Sequence, residues 1–227
     1  MAVLWLKQMT PSLSSMTTNP TPEQRRLDGQ FRDQILALLQ GWATWPLGRD
    51  RYRVSWVNNL VQQAPTAHDC VVYFVHNYTR GVIQATLTTS QATVMQNQLA
   101  IARNPSNFRE VGLTAAGGSQ AHASEVYLGK CLSALRQLRR DNPVFTPREL
   151  REYPLLLAMA ALHEAMHNKV EPEMPPNWSQ HNQGGGGVAG SMIFAPGGQL
   201  LGPPGPTQAN QTFLQQHFAS RHPQYIA

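Results

Sequence analysis

The stretch His163-Glu164-Ala165-Met166-His167 places two imidazoles four residues apart, with a carboxylate directly after the first. On a helix, residues i and i+4 share a face, with Cβ atoms about 5–6 Å apart. Two imidazoles so spaced can hold one zinc ion through ring nitrogens. Glu164 then stands beside the metal rather than on it, where it can take a proton from a water that the metal activates. The pattern is rare by accident. With 8 His in 227 residues and Glu equally scarce, about 0.01 chance occurrences are expected. It also closes an apolar run, residues 155–162, instead of lying on a polar surface segment. The chemistry these residue types serve at this spacing is metal-assisted hydrolysis.

A catalytic zinc commonly has three protein ligands and one open position. Downstream of His167 the ligating types are Glu171, Glu173, His181, His217 and His222, and no Asp follows Asp141. His181 comes after a Pro-rich stretch and just before four glycines at 184–187. Backbone of that kind can turn sharply toward a metal. His181 is therefore the first candidate for the third ligand, with Glu173 as the alternative.

Beyond His181 runs Gly190-Ser191-Met192-Ile193-Phe194-Ala195-Pro196. An HExxH helix, a further ligand and then a turn carrying Ser191 and Met192 resembles the metzincin clan of zinc endopeptidases. The resemblance covers about residues 147–220 and implies an α+β fold. In that fold a mixed sheet packs on helices, and a loop-rich C-terminal subdomain follows the zinc helix. It implies that Met192 forms an apolar floor beneath the ligands, and that the edge strand of the sheet pairs with an extended peptide. The family pattern HExxHxxGxxH is not met in full. Val170 stands at its glycine and Glu173 at its third ligand, so either Glu173 ligates or His181 arrives from a longer loop. Some metzincins carry a tyrosine two residues after the methionine. Phe194 stands there instead, which leaves His217, His222 or Tyr225 to supply a transition-state donor.

These residues need elements to position them. Thr21-Pro22-Glu23-Gln24 is a capping box with Pro at the first helical position. Leu27, Phe31, Ile35, Leu38 and Leu39 follow at helical spacing, so a helix is expected over 22–41. A half-buried strand is expected at 51–57 and a central one at 70–75, where a continuous apolar run begins with Cys70. Further strands are expected at 81–88 and 123–128, and helices at 95–102 and 129–140. Thr146-Pro147-Arg148-Glu149 is a second capping box, opening a helix to about residue 170 with a kink or restart at Pro154. A last helix is expected at 207–220, matching the family's C-terminal helix. Residues 1–20, Ser/Thr-rich and ending in Pro, read as a flexible tail. The single domain then spans 21–227, with an upper lobe to 167 and a lower lobe from 168.

Composition narrows the classes. The chain is 41% hydrophobic and only 14% charged, with net charge +5. No apolar run approaches the ~20 residues of a spanning helix, and ordinary apolar content with modest charge speaks against disorder. The start of the chain has no basic region followed by a long apolar core, so no cleaved signal is expected. That suits a cytoplasmic protein or one exported by a signal-independent route. Two cysteines, Cys70 and Cys131, are too few for a disulfide scaffold and read as buried thiols or one bridge. The densest basic cluster, Arg136, Arg139, Arg140, Arg148 and Arg151, lacks interleaved aromatics and reads as a solvated helix face, not a nucleic-acid platform.

The expected function is zinc-dependent endopeptidase activity on a protein or peptide substrate, with Zn2+ held by His163, His167 and His181. Glu164 acts as general base. Two other readings share the motif: a bacterial metallopeptidase toxin delivered by a dedicated machine, and a non-enzymatic protein-binding domain stabilised by zinc.

Overall fold

A computed structural model describes residues 2–15, 17–43, 52–58, 60, 69–76, 112–114, 123–136, 144–169, 193–195 and 199–201. In chain order the elements are β1 (Ala2–Gln8), α1 (Pro22–Ala43), β2 (Tyr52–Trp56), β3 (Cys70–Val75), β4 (Gly112–Thr114) and β5 (Ala123–Tyr127). Then come α2 (Leu128–Arg136), α3 (Pro147–Lys169), β6 (Ile193–Ala195) and β7 (Gln199–Leu201). The fold is α+β. Five strands form one sheet in the order β2-β1-β3-β5-β4. The first four run parallel and β4 lies antiparallel to β5 at the edge. β6 and β7 form a separate antiparallel pair.

The two helix starts are built as their sequences require. The Thr21 N–H donates to Gln24 Oε1 at 2.8 Å, and the Gln24 N–H donates to Thr21 Oγ1 at 3.2 Å. At α3 the Thr146 N–H donates to a Glu149 oxygen at 2.8 Å, and the Glu149 N–H returns to Thr146 Oγ1 at 3.2 Å. Each box satisfies backbone donors that a helix start otherwise leaves open, worth about 1 kcal/mol. Phe31, Ile35 and Leu39 then form the buried stripe of α1, with Leu27 and Leu38 partly buried beside it.

α1 and α3 pack together, α1 against β2 and α3 against β3, β4 and β5. Leu4, Leu6, Val54, Val72, Phe74 and Val126 meet Phe31, Ile35, Leu156 and Leu157 in one core. Burying each such side chain contributes about 1.5–3 kcal/mol. Cys70 and Cys131 are buried thiols in this core, not a bridge. Burial pushes the Cys131 thiol well above its ordinary value, so it stays protonated and inert.

Three expectations change. Residues 1–20 are not a flexible tail. β1 is an interior strand, paired on one side with β2 and on the other with β3. Leu4 and Leu6 are 1% and 0% exposed. The short apolar run Val3-Leu4-Trp5-Leu6 is thus a core strand, and the Val3 N–H is held by Asp69 Oδ1 at 2.8 Å. The Ser-rich stretch behind it is anchored too. Asp28 Oδ1 accepts from Ser12 Oγ and the Ser14 N–H, and the Tyr153 hydroxyl donates to the Leu13 carbonyl at 3.0 Å.

α3 continues through Pro154 without a restart. The ring forfeits the bond to the Leu150 carbonyl, but Tyr153 and residues 156–162 around it are all buried, and their packing outweighs that loss. Arg136 does not lie on a solvated face. Its side chain is 5% exposed, 3.8 Å from Glu149, with its guanidinium 4.5 Å from the centre of the Phe145 ring. Arg148 pairs with Glu152 at 2.9 Å. The expected elements at 81–88, 95–102 and 207–220 lie outside the described residues, as does most of the lower lobe.

Candidate metal centre

α3 changes character along its length. Residues 156–162 are apolar and at most 1% exposed, because the sheet, α1 and α2 surround the helix. A helix apolar all round is what such a position demands. The next two residues, His163 and Glu164, are still buried at 6% and 5%, but they are ionisable. His167, one turn later, is half-buried. The apolar stem therefore carries the polar triad to the boundary between core and solvent.

Within the triad the i, i+4 geometry is realised. The His163 and His167 rings lie 4.8 Å apart between centres, at 85° to each other. Edge-to-face imidazoles at that separation can turn nitrogens toward a shared point. Two imidazole nitrogens fit a zinc ion, and the half-burial of His167 leaves access from one side. Among the described residues no third His, Cys, Asp or Glu completes the group. The expected third ligands, His181 and Glu173, lie outside the described residues, as do Glu171, His217, His222 and Tyr225. Met192 does as well. Phe194 is in the backbone of β6, paired with Leu200.

Glu164 is held by residues that the sequence pattern did not single out. The Ser124 hydroxyl, buried on β5, donates to the Glu164 carbonyl at 3.1 Å. Gly112 on β4 lies directly against the Glu164 side chain. A Cβ at 112 would come within 2.6 Å of Glu164 Oε1 and 2.7 Å of its Cγ. A serine next to a glutamate in strand β5 and a glycine in a three-residue strand were the available signals. An isolated glycine in a strand often marks a close approach. Neither residue has a spacing that ties it to α3.

Across the sheet a second carboxylate is buried. Glu125 on β5 is 0% exposed, and among the described residues neither of its oxygens has a partner in hydrogen-bonding geometry. Burial pushes its carboxyl up to about 7, while the Tyr127 hydroxyl draws it the other way. Its charge in turn adds to the burial that raises the Tyr73 phenol.

Searches against protein families, curated proteins and solved structures find no match to this chain. Among the described residues no helix is long and apolar enough to cross a membrane.

Proposed function

We propose that the chain is a zinc-dependent endopeptidase of metzincin-like fold. The observation that carries this reading is the edge-to-face pair of His163 and His167, with Glu164 buried between them in sequence at the end of an apolar helix. Two ionisable groups buried at the end of a core helix cost stability. A chemical role accounts for their presence there.

His163 and His167 would be two of the metal's ligands. His181 would be the third, with Glu173 as the alternative, and the metzincin resemblance would make Met192 the apolar floor of the site. Zinc bound there supplies Lewis acidity toward a water and a scissile carbonyl. Glu164 accepts the proton of the attacking water at its carboxylate and passes it to the leaving amine. Among the described residues β4 ends the sheet order beside α3, which supports an extended peptide pairing along that edge. The mixed sheet ahead of the HExxH helix supports the finer fold assignment.

Metal analysis and peptide hydrolysis test the reading together. His163→Ala should lose zinc and activity, whereas Glu164→Ala should keep zinc and lose cleavage. Full zinc content in His163→Ala, or cleavage at the wild-type rate in Glu164→Ala, overturns the proposal.

A further inference from the structure

The sheet and the triad meet at one point, Gly112. β4 pairs with β5 in a register that sets Gly112 opposite Val126. Val126 belongs to the core on the helix side of the sheet, so position 112 faces α3. There a Cβ would lie 2.6 Å from Glu164 Oε1, 2.7 Å from Glu164 Cγ and 2.7 Å from the Glu125 carbonyl oxygen. The first of these atoms is the end of a flexible side chain, but the other two are not. No side chain fits unless the strand or the Glu164 stem moves.

We propose that Gly112 is the positioning residue for Glu164: its bare Cα is the seat that fixes where the carboxylate lies. The proposal rests on the metallopeptidase reading for what that position achieves. Glu164 is held at two places by neighbouring strands. Ser124 on β5 fixes its backbone carbonyl, and Gly112 on β4 bounds its side chain. A general base must lie within hydrogen-bond reach of the proton it takes, and a displacement near 1 Å can cost about 10²-fold in rate. The glycine thus couples the edge strand of the sheet to the base. Whatever shifts β4 shifts the wall against which Glu164 rests.

The test is a double-mutant cycle read first by thermal unfolding of the metal-free protein. Gly112→Ala should lower the midpoint by several degrees. In a Glu164→Ala background the same change should cost about half as much, because two of the three close atoms are gone. Gly29→Ala, where the added Cβ meets nothing within 4 Å, controls for glycine replacement in general and should not lower the midpoint. In the zinc-loaded protein, Gly112→Ala should keep full metal content and lose about 10²-fold in kcat. KM for a quenched peptide that the wild-type protein cleaves should stay within about threefold, since seating the base affects the chemical step.

Equal midpoint losses in both backgrounds overturn the seat. Coupled midpoints with unchanged kcat overturn its role in positioning. If Gly112→Ala does not fold, the Gly112→Ala/Glu164→Ala pair should, and its failure to fold also overturns the seat. A wild-type protein that binds zinc but cleaves no peptide overturns the peptidase reading. The unfolding cycle still decides the contact in that case.

Discussion

The two faces of the sheet each bury a carboxylate near β5, and they treat it differently. On the helix face Glu164 has its carbonyl held by Ser124, its stem bounded by Gly112, and two imidazoles on its own helix. On the far face Glu125 is fully buried, and burial raises its carboxyl to about 7. A perturbed carboxyl is often taken as a mark of function. Here the raised carboxyl is that of Glu125, beside which Tyr73 and Tyr127 are the described groups that interact with it. What distinguishes Glu164 is the set of groups arranged around it.

Four substitutions can break or sharpen this contrast. The largest effect is expected at Glu164 itself. Glu164→Ala should reduce kcat by about 10²–10⁴-fold with zinc content intact, and a quenched-peptide assay beside metal analysis checks it. Glu125→Gln should leave zinc content and cleavage within about threefold. A larger loss would move Glu125 into the machinery and dissolve the contrast.

The same Glu125→Gln substitution should change the pH profile of stability. The folded value near 7 lies above the ordinary 4.5. The favourable term is therefore complete below about pH 4.5 and is lost as pH rises through about 7. Relative to the variant, the wild-type protein should decline by at most about 3 kcal/mol between pH 5 and pH 8. Denaturant unfolding at both pH values measures that difference. Parallel profiles would mean that folding does not raise the Glu125 carboxyl.

Smaller effects follow on the helix side. Ser124→Ala removes the buried bond to the Glu164 carbonyl and should cost about 0.5–1.5 kcal/mol, the net worth of one hydrogen bond. Thr146→Ala removes the cap of α3 and should cost about 1 kcal/mol. It lies at the other end of the helix from the triad, so zinc affinity should hold. If Thr146→Ala weakens zinc as much as Ser124→Ala does, α3 responds as a whole and the local support of Glu164 is not separable.

Legibility followed the range of the interactions. α1 could be read because Thr21 and Gln24 cap it and Phe31, Ile35 and Leu39 repeat within it. β3 could be read because six consecutive residues are apolar or aromatic. The triad could be read because its geometry is set by one turn of helix. β1 was missed because nothing within Ala2–Gln8 announces its partners; Tyr52 and Cys70, which it joins in register, are far along the chain. β4 is three residues long, too short to show any period, so Gly112 had no visible link to Glu164. Arg136 was misread for a related reason. Its burial comes from Glu149 and Phe145 across the fold, not from its own helix.

The interior placement of β1 also bears on how the chain is made. Among the described strands β1 precedes both of its neighbours in the chain, so β2 and then β3 must be synthesised before it can be enclosed. Until then Leu4, Trp5 and Leu6 present an unpaired sticky ribbon. Sheet assembly is thus governed by contacts distant in sequence, a topology that folds slowly. A nascent chain stalled before Cys70 would hold a ribbon with no finished place to go.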